Sequence, residues 1–267
     1  MVMNAEPRSL RILQDFDLQP EIHGLDHLRS FLQELSEGEK LSIHIKCETG
    51  MNRLGFEEED IEGLVDILKQ NSHRLNVVSI FSHFSSADMP LADDYSLAQL
   101  QKFKKMAGVL TSNLNDRPLW HIANSSATLR FPEAHMDMVR LGIALYGVSI
   151  PEKFRTQFYP VHSLKTYIVQ IKERKPGDRI GYGMEGEVHR LSRIATIPLG
   201  YADGVPRKLG NGRLKVWVNG HLAPSIGRIC MDMTMIDVTD IPHCQRHEEV
   251  EIFGKNLPLD QFAHQCD

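Results

Sequence analysis

Polar side chains recur in the N-terminal half of the sequence at the points where short apolar runs end. The set comprises Lys46 with Arg53 beyond it, His83, and the pair Asn124 and Ser125; Arg140, Gly142 and Ile143 lie within the last such run. Cations, hydroxyl and amide donors, and glycines that permit close backbone approach are the groups that bind an anionic, phosphate-bearing ligand. Their spacing predicts a phosphate-binding site at the ends of several strands.

Each of these residues, taken alone, also has a structural interpretation. A histidine such as His83 at a strand end is more often a hydrogen-bonded core residue than a catalyst. Arg140 between two apolar residues is as consistent with a buried ion pair, and Lys46 with a side chain that extends its amine to solvent. Their recurrence at successive strand ends favours the functional interpretation.

The C-terminal half contains a tyrosine, Tyr182, between Gly181 and Gly183. Flanking glycines leave such a ring accessible to an approaching ligand, although an isolated tyrosine of this kind is more often a turn residue. Residues 227–232 combine apolar and charged side chains without a helical or strand period, which is typical of a buried loop or a bulge in a sheet.

The elements that must position the first group alternate along the chain. Strands are predicted at residues 21–23, 42–46, 77–83, 119–124 and 138–146, with the stub of one more at residues 1–3. Apolar residues recur at helical spacing in the segments 25–35, 61–68 and 100–110. This alternation predicts a parallel sheet built from βα units, and a parallel barrel carries its site at the C-terminal ends of its strands.

After about residue 150 the helical pattern disappears. Strands are predicted at residues 166–172, 194–199, 214–218, 233–238 and 249–253, with tight turns at 175–178 and 219–220. We therefore expect a separate small β domain and a boundary near residues 149–160. The predicted domains are residues 1–150 and 151–267.

Composition narrows the classes of function. The 267 residues are 42% hydrophobic and 24% charged, as in ordinary globular proteins, and the net charge of -5 favours neither nucleic acid nor an anionic membrane as a partner. Neither a signal peptide nor an apolar run of the ~20 residues needed to span a membrane is present, which predicts a cytoplasmic protein. The four cysteines lack the paired spacing of metal or redox sites, so we expect reduced thiols, no metal site and a small-molecule ligand.

The ordered motifs of the whole chain resemble those of the alanine racemase family. The matching segments are residues 44–56, 81–84, 123–126, 139–147, 181–183, 200–204 and 227–232. The resemblance implies an α/β plus all-β architecture, in which an incomplete (β/α)8 TIM-type barrel is followed by a C-terminal β domain. It also implies pyridoxal 5'-phosphate as the cofactor.

The resemblance implies interconversion of L-alanine and D-alanine, which supplies D-alanine for peptidoglycan. The reaction proceeds through an external aldimine and needs two bases on opposite faces of the substrate carbon. Tyr182 would be the base for the L-enantiomer, with His83 and Arg140 favouring its phenolate form. Because the family is homodimeric, Tyr182 would reach the cofactor bound by the other subunit.

The remaining roles also follow from the resemblance. Arg140 would hydrogen-bond the pyridine nitrogen. Arg53, held by a carbamylated Lys46, would contact the cofactor phenolate and the substrate carboxylate. Other residues would bind the phosphate end of the cofactor (Asn124, Ser125, Gly142 and Ile143), donate a backbone N–H to the substrate carboxylate (Met231) or line the entrance (Tyr201, Arg207 and Arg228).

Two departures from the family pattern lead us to expect a truncated racemase. Residues 1–5 align near the third barrel strand of the family, so the first two βα units and the Schiff-base lysine would be missing, and the terminal tyrosine-bearing segment would be missing after residue 267. Glu48 also stands where the family usually has Asp. Two alternatives stay open: a catalytically inactive cofactor-binding or dimerisation module, and a barrel-type pyridoxal-phosphate amino acid decarboxylase, whose family usually presents a carboxylate to the pyridine nitrogen.

Overall fold

A computed structural model describes residues 1–148 and 150–266. They form two compact units, one of Met1–Ala144 with Ile150–Thr156 and the other of Leu145–Ser149 with Gln157–Asp267. The first unit is a parallel α/β structure and the second is an antiparallel β structure, as the sequence predicted.

The first unit contains a four-stranded parallel sheet. Its strands are β1 (Glu21–Ile22), β2 (Leu41–Lys46), β3 (Leu75–Phe81) and β4 (Leu119–His121), in the spatial order β1-β2-β3-β4. Val2 forms one further parallel bridge with Pro20, which confirms that strand-like pairing begins at the predicted stub.

The predicted strand at residues 138–146 is wrong. This segment is a loop that ends in a 3-10 turn at Ile143–Tyr146. The backbone N–H of Arg140 donates to the carbonyl of Ala123, and that of Gly142 donates to the hydroxyl of Ser125. These two N–H groups of the loop therefore donate to the segment after β4 and not to a neighbouring strand.

Five helices accompany the sheet and confirm the three predicted helical segments. They are α1 (Leu10–Asp15), α2 (Leu25–Glu34), α3 (Ile61–Gln70), α4 (Asp93–Thr111) and α5 (Ser125–Arg130). In α3 the apolar residues at helical spacing, including Leu64 and Leu68, are buried, as are Leu100 and Phe103 in α4. They form one apolar cluster with the sheet residues that face them.

The two faces of the sheet differ in chemistry because successive strand residues point to opposite sides. One face belongs to the apolar cluster and includes Ile22, Ile43, Ile45, Val77 and Ile80. The other face is polar yet buried, and carries Glu21, His44, Lys46, Ser79 and His121.

A β-bulge in β3 aligns this polar face. Ile43 pairs with Val77, but the next residue, His44, pairs with Ser79, so Val78 is an extra residue in the ladder. The bulge lets Val77 and Ile80 both join the apolar cluster. Strict alternation would instead have put Val77 and Ser79 on the same face.

The second unit contains nine strands. They are β5 (Leu164–Tyr167), β6 (Gln170–Arg174), β7 (Arg179–Ile180), β8 (Gly186–Glu187), β9 (Ser192–Ile197), β10 (Lys215–Val218), β11 (His221–Pro224), β12 (Thr234–Asp237) and β13 (Glu249–Phe253). They pair as β11-β10-β13-β5, β12-β9-β6 and β7-β8, around an apolar cluster of their own.

Two predictions for this unit are corrected. The single strand predicted at 166–172 is two strands, because the N–H of Ile168 donates to Glu248 beside one sheet while that of Val169 donates to Thr196 in the other. The C-terminal residues, for which no helix was predicted, form α6 (Leu259–Cys266). The predicted turn at Asn219 and Gly220 is confirmed: both have positive φ and join β10 to β11.

No helix among the described residues is both long and apolar enough to cross a membrane.

Gly55 is required by a close backbone approach beside the polar face. Its φ is +139°, and an added Cβ would lie 2.5 Å from the backbone nitrogen of Glu48 and 2.7 Å from the carbonyl carbon of Cys47. These atoms belong to the bridge that Cys47 makes with Phe56, so they cannot move aside without breaking backbone hydrogen bonds.

We predict that Gly55→Ala lowers the free energy of unfolding by roughly 1–3 kcal/mol, the cost of a strained backbone at this position. Urea unfolding followed by circular dichroism measures the change. Gly108→Ala is the matched control, since Gly108 lies inside α4 with open space around it and alanine there should add roughly 0.5–1 kcal/mol. Equal effects of the two variants would contradict the assigned role of Gly55.

Candidate active site

Arg140 is the centre of the polar face. Its Nη1 donates to Nδ1 of His121 and to the backbone carbonyl of His121, the latter at 3.3 Å. Its Nη2 donates to the carbonyl of Ser82 at 2.6 Å and to Nδ1 of His83 at 3.2 Å. Burial lowers the pKa of Arg140 to about 10, against the opposing charge of Glu21. The guanidinium is thus a half-buried cation that remains protonated at neutral pH.

A chain of hydrogen bonds runs from Arg140 across the sheet. His121 Nε2 lies 2.9 Å from the hydroxyl of Ser79, which lies 2.6 Å from His44 Nδ1, and His44 Nε2 lies 2.9 Å from Oε1 of Gln19. Arginine has only donors, so Nδ1 of His121 must accept and its Nε2 must carry the proton. The same logic makes Ser79 donate to His44 and His44 donate to Gln19.

The three histidines of this face are neutral near pH 7. Burial, and then the charge of Arg140, lowers the pKa of His121 to about 3 and that of His83 to about 4. Burial also lowers the pKa of His44 to about 4. Because His83 accepts at Nδ1 from Arg140, its proton lies on Nε2.

The ring of Phe81 supports two cations. Lys46 Nζ lies 5.7 Å and Arg140 Cζ lies 5.2 Å from its centroid, and the ring of His121 stacks on it at 5.0 Å. An aromatic ring offers these buried cations electrostatic attraction without competing for their hydrogen bonds.

Lys46 and Glu21 form a buried ion pair. Nζ of Lys46 lies 3.6 Å from Oε1 of Glu21, and the two side chains are 4% and 0% exposed. Neither Nζ nor either oxygen of Glu21 has a hydrogen-bond partner among the described residues. Burial lowers the pKa of Lys46, an effect that Glu21 opposes and that Arg53 and Arg140 reinforce.

The loop after β2 is held by Glu48. Its carboxylate accepts the backbone N–H groups of Gly50 at 2.5 Å and Arg53 at 3.2 Å. Burial raises the pKa of Glu48, but hydrogen bonds from the backbone of the loop outweigh burial and leave the pKa below its ordinary value. Arg53 itself is exposed at this loop.

Ser125 joins the loop of Arg140 to α5. Its Oγ accepts the backbone N–H groups of Gly142 at 2.9 Å and Ala144 at 3.3 Å. The side chain of Asn124 caps α5 by accepting the N–H of Ala127 at 3.0 Å and donates to the carbonyl of Phe84. Asn124 therefore positions Ser125, and its side chain is engaged within the protein.

Tyr182 lies in the second unit, on the loop between β7 and β8. It is 68% exposed, between Gly181 and Gly183, both of which have positive φ. A surface pocket of about 410 Å³ beside it is lined in part by Lys172 and Arg179. Its accessibility is as the sequence predicted.

The other predicted residues of this unit lie on neighbouring loops. The backbone of Tyr201 donates to the carbonyl of Cys230, next to Met231. The N–H of Met231 has no acceptor in the described part of the chain. Arg207, stacked 5.2 Å from the ring of Tyr201, and Arg228, paired with Glu185, line one pocket of about 480 Å³.

Within the first unit the structure places Lys46 at the end of β2, His83 after β3, and Asn124 and Ser125 after β4, close to their predicted positions at strand ends. Arg140, Gly142 and Ile143 lie on a loop and its 3-10 turn and not within the predicted strand, and Arg53 lies on the loop after β2. Sequence reasoning missed Glu21, His44, Ser79, Phe81 and His121. The available signal was the alternation of polar with apolar residues in 42–46, where His44 and Lys46 share a face. No group of three or more metal-ligating side chains occurs in the described ranges.

Comparisons with known proteins cover both units. Residues 1–150 match the profile described as "Alanine racemase, N-terminal domain", and residues 161–267 match "Alanine racemase, C-terminal domain". Alanine racemase 1 of Clostridium acetobutylicum is 40% identical over 236 residues, which cover 85% of this chain. Alanine racemase of Methanococcus maripaludis is 36% identical over 97% of this chain.

Solved structures show the same similarity. The alanine racemase of Clostridium difficile 630 superposes with a TM-score of 0.89 at 28% identity, over 98% of this chain and 70% of that one. The alanine racemase of Bacillus anthracis with bound L-Ala-P gives 0.86 at 27% identity, over 98% of this chain and 68% of that one. The chain spans 60% of the length of the C. acetobutylicum relative and 71% of that from M. maripaludis.

The hydrogen-bond chain predicts the effect of removing its serine. Ser79→Ala leaves the Nε2–H of His121 and Nδ1 of His44 without partners in a buried place, which should lower the free energy of unfolding by about 1–3 kcal/mol. Urea unfolding measures it. Ser96→Ala is the control, because Ser96 is equally buried but its hydroxyl has no hydrogen-bond partner among the described residues. A similar loss in both variants would contradict the hydrogen-bond chain.

The lowered pKa values of the buried histidines predict that the free energy of unfolding decreases as the pH is lowered. An unfolded histidine takes up a proton below its ordinary pKa of about 6.5, whereas His121 stays neutral in the folded state until about pH 3. Unfolding therefore takes up protons between these values. The contribution is fully present above about pH 6.5 and is lost as the pH falls.

We expect His121→Gln to reduce the loss of unfolding free energy between pH 7 and pH 5 by about 2 kcal/mol relative to the parent protein. Urea unfolding at the two pH values gives both slopes. His73→Gln, at an exposed histidine, should leave the slope unchanged, and an unchanged slope in His121→Gln would show that this ring is not held neutral.

Proposed function

The chain belongs to the alanine racemase family, and from that premise we propose that its protein is a cytoplasmic, pyridoxal-phosphate-dependent racemase of alanine. The observation that carries the proposal is the setting of Arg140, a half-buried guanidinium whose two terminal nitrogens are held by His121, Ser82 and His83. The proposal includes a homodimer whose active sites are shared between subunits, and a product, D-alanine, destined for peptidoglycan.

The residues present fit pyridoxal 5'-phosphate by the chemistry of their donors. The hydroxyl of Ser125 accepts two backbone N–H groups, so its own proton is available to a phosphate oxygen. The N–H of Ile143 has no acceptor among the described residues, and a Cβ placed on Gly142 would meet only Ser125, at 3.9 Å. This open cradle of donors suits a phosphate group.

When bound, the cofactor supplies an electron sink that makes the α-proton of the amino acid acidic. Arg140 has five N–H donors, of which those on Nη1 and Nη2 are directed at His121, Ser82 and His83. The Nε–H has no acceptor in the described part of the chain and would donate to the pyridine nitrogen. Because an arginine does not release its proton, this nitrogen stays unprotonated, which weakens the sink and disfavours side reactions.

Tyr182 would take the α-proton of L-alanine at its phenolate oxygen. A tyrosine near its ordinary pKa of about 10 needs stabilisation of its anion to act as a base. His83 can provide it, because its Nε2 carries a proton and its Nδ1 is held by Arg140. In the proposed dimer, the partner's Tyr182 approaches His83 of the subunit that binds the cofactor.

Arg53 and the free backbone N–H of Met231 would hold the substrate carboxylate. Arg53 would also contact the cofactor phenolate, and the pocket lined by Arg207 and Arg228, together with Tyr201, would form the entrance, where positive charge attracts an amino acid carboxylate. Asn124 would act on the phosphate site indirectly, by capping the helix that begins with Ser125.

The setting of Arg140 also separates this function from the decarboxylase alternative. A carboxylate opposite the pyridine nitrogen would keep that nitrogen protonated and strengthen the electron sink, whereas Arg140 is the group that this pocket presents. An inactive cofactor-binding module keeps the same pocket, so only the exchange of the α-proton distinguishes it.

We predict that Tyr182→Phe abolishes exchange of the α-proton of L-alanine while cofactor binding is retained. Proton NMR of L-alanine with the protein and pyridoxal 5'-phosphate in D2O measures exchange, and equilibrium dialysis measures binding. Tyr159→Phe is the control, at a tyrosine of the same unit that is 80% exposed and should exchange at the parental rate.

Three results would overturn the proposal. Unchanged exchange in Tyr182→Phe would remove Tyr182 from the reaction. Cofactor binding by the parent protein without any α-proton exchange would identify an inactive binding module. Release of carbon dioxide from an amino acid would identify a decarboxylase.

A further inference from the structure

Several cationic side chains lie close together at the carboxyl edge of the sheet. Lys46 and Arg140 both contact the ring of Phe81, and the charges of Arg53 and Arg140 each lower the pKa of Lys46. Lys46 is buried and Arg140 is half-buried, so their repulsion is weakly screened and a nearby anion stabilises their charges.

Glu21 is the carboxylate that lies beside these cations. Its charge acts on both buried cations, raising the pKa of Lys46 and that of Arg140 against the stronger effect of burial. The nearby carboxylate of Glu48 is engaged instead by the backbone N–H groups of its own loop. Glu21 is therefore the counter-ion of Lys46, whose Nζ lies 3.6 Å from it, and its charge also acts on Arg140.

Apart from the contact of Lys46 with the ring of Phe81, the ion pair has no polar support among the described residues. Both oxygens of Glu21 and the Nζ of Lys46 lack hydrogen bonds within the described ranges, and they lie 3.6 Å apart with almost no exposure. Removing the charge of either partner would leave the other buried and uncompensated, which is the costly change for a buried pair.

We propose that Glu21 is the resident carboxylate of this pocket and holds Lys46 as an unmodified ammonium, in place of the carbamate that the family resemblance led us to expect. Carbamylation needs the neutral amine: its lone pair attacks carbon dioxide, an N–C bond forms, one C=O π bond opens, and a proton leaves to solvent. The cation at Lys46 would become an anion 3.6 Å from where Glu21 now lies. Two buried anions would replace a neutral pair, so the modification is disfavoured.

Carbon-13 NMR of the purified protein in 13C-labelled bicarbonate tests the proposal without any need for catalysis. We expect no carbamate resonance in the parent protein, and the appearance of one in Glu21→Gln, which removes the charge but keeps the shape. The resonance should be absent from Glu21→Gln combined with Lys46→Arg, which assigns it to Lys46. Glu21→Asp, which keeps a carboxylate, should resemble the parent.

A carbamate resonance in the parent protein that disappears in Lys46→Arg would overturn the proposal. So would a folded Glu21→Gln variant without the resonance, since Glu21 would then not be what prevents modification. Should that variant fail to fold, nitrogen-15 NMR of lysine side chains in the parent protein decides: an NH3+ signal that is lost in Lys46→Arg supports the buried ammonium, and its absence refutes it. Neither spectrum depends on racemase activity, so the proposed function can fail while this inference stands.

Discussion

The site depends on which atoms accept the hydrogen bonds that Arg140 donates. Arg140 has no acceptor atoms, so every group around it must accept, and this requirement fixes where each proton lies on His83 and His121. His121 then donates to Ser79, Ser79 donates to His44, and His44 donates to the amide oxygen of Gln19. One side chain thereby sets the tautomers of three histidines, His44 on β2, His121 on β4 and His83 just after β3, and burial keeps all three rings neutral.

Much of the architecture was predictable because local patterns determine it. Apolar spacing gave α3 and α4, and positive-φ turn chemistry gave the hairpin at Asn219 and Gly220. The strand predicted at 138–146 failed because its apolar residues mimic a strand, while its backbone N–H groups are taken by Ala123 and Ser125. That competition depends on residues brought close only by folding.

The site divides in the same way. Lys46, His83 and Ser125 end or follow strands and could be predicted from their position in the chain, whereas Arg140 lies on the loop that was predicted as a strand. Glu21 could not, since a two-residue strand gives too little alternation to show which face it occupies, and its significance comes from the charges of Lys46 and Arg140, which lie far from it in sequence. Electrostatic compensation is a property of the assembled sheet.

The bulge at Val78 divides β3 into two parts with separate roles. Residues before it contribute side chains to the apolar core, and the phase then changes so that Ser79 and Phe81 meet the polar face while Ile80 returns to the core. Substitution of Val77 therefore changes the packing of the core, whereas substitution of Ser79, two residues away, changes the hydrogen bonds of the polar face. A strand with this break can vary its polar end without repacking its apolar end.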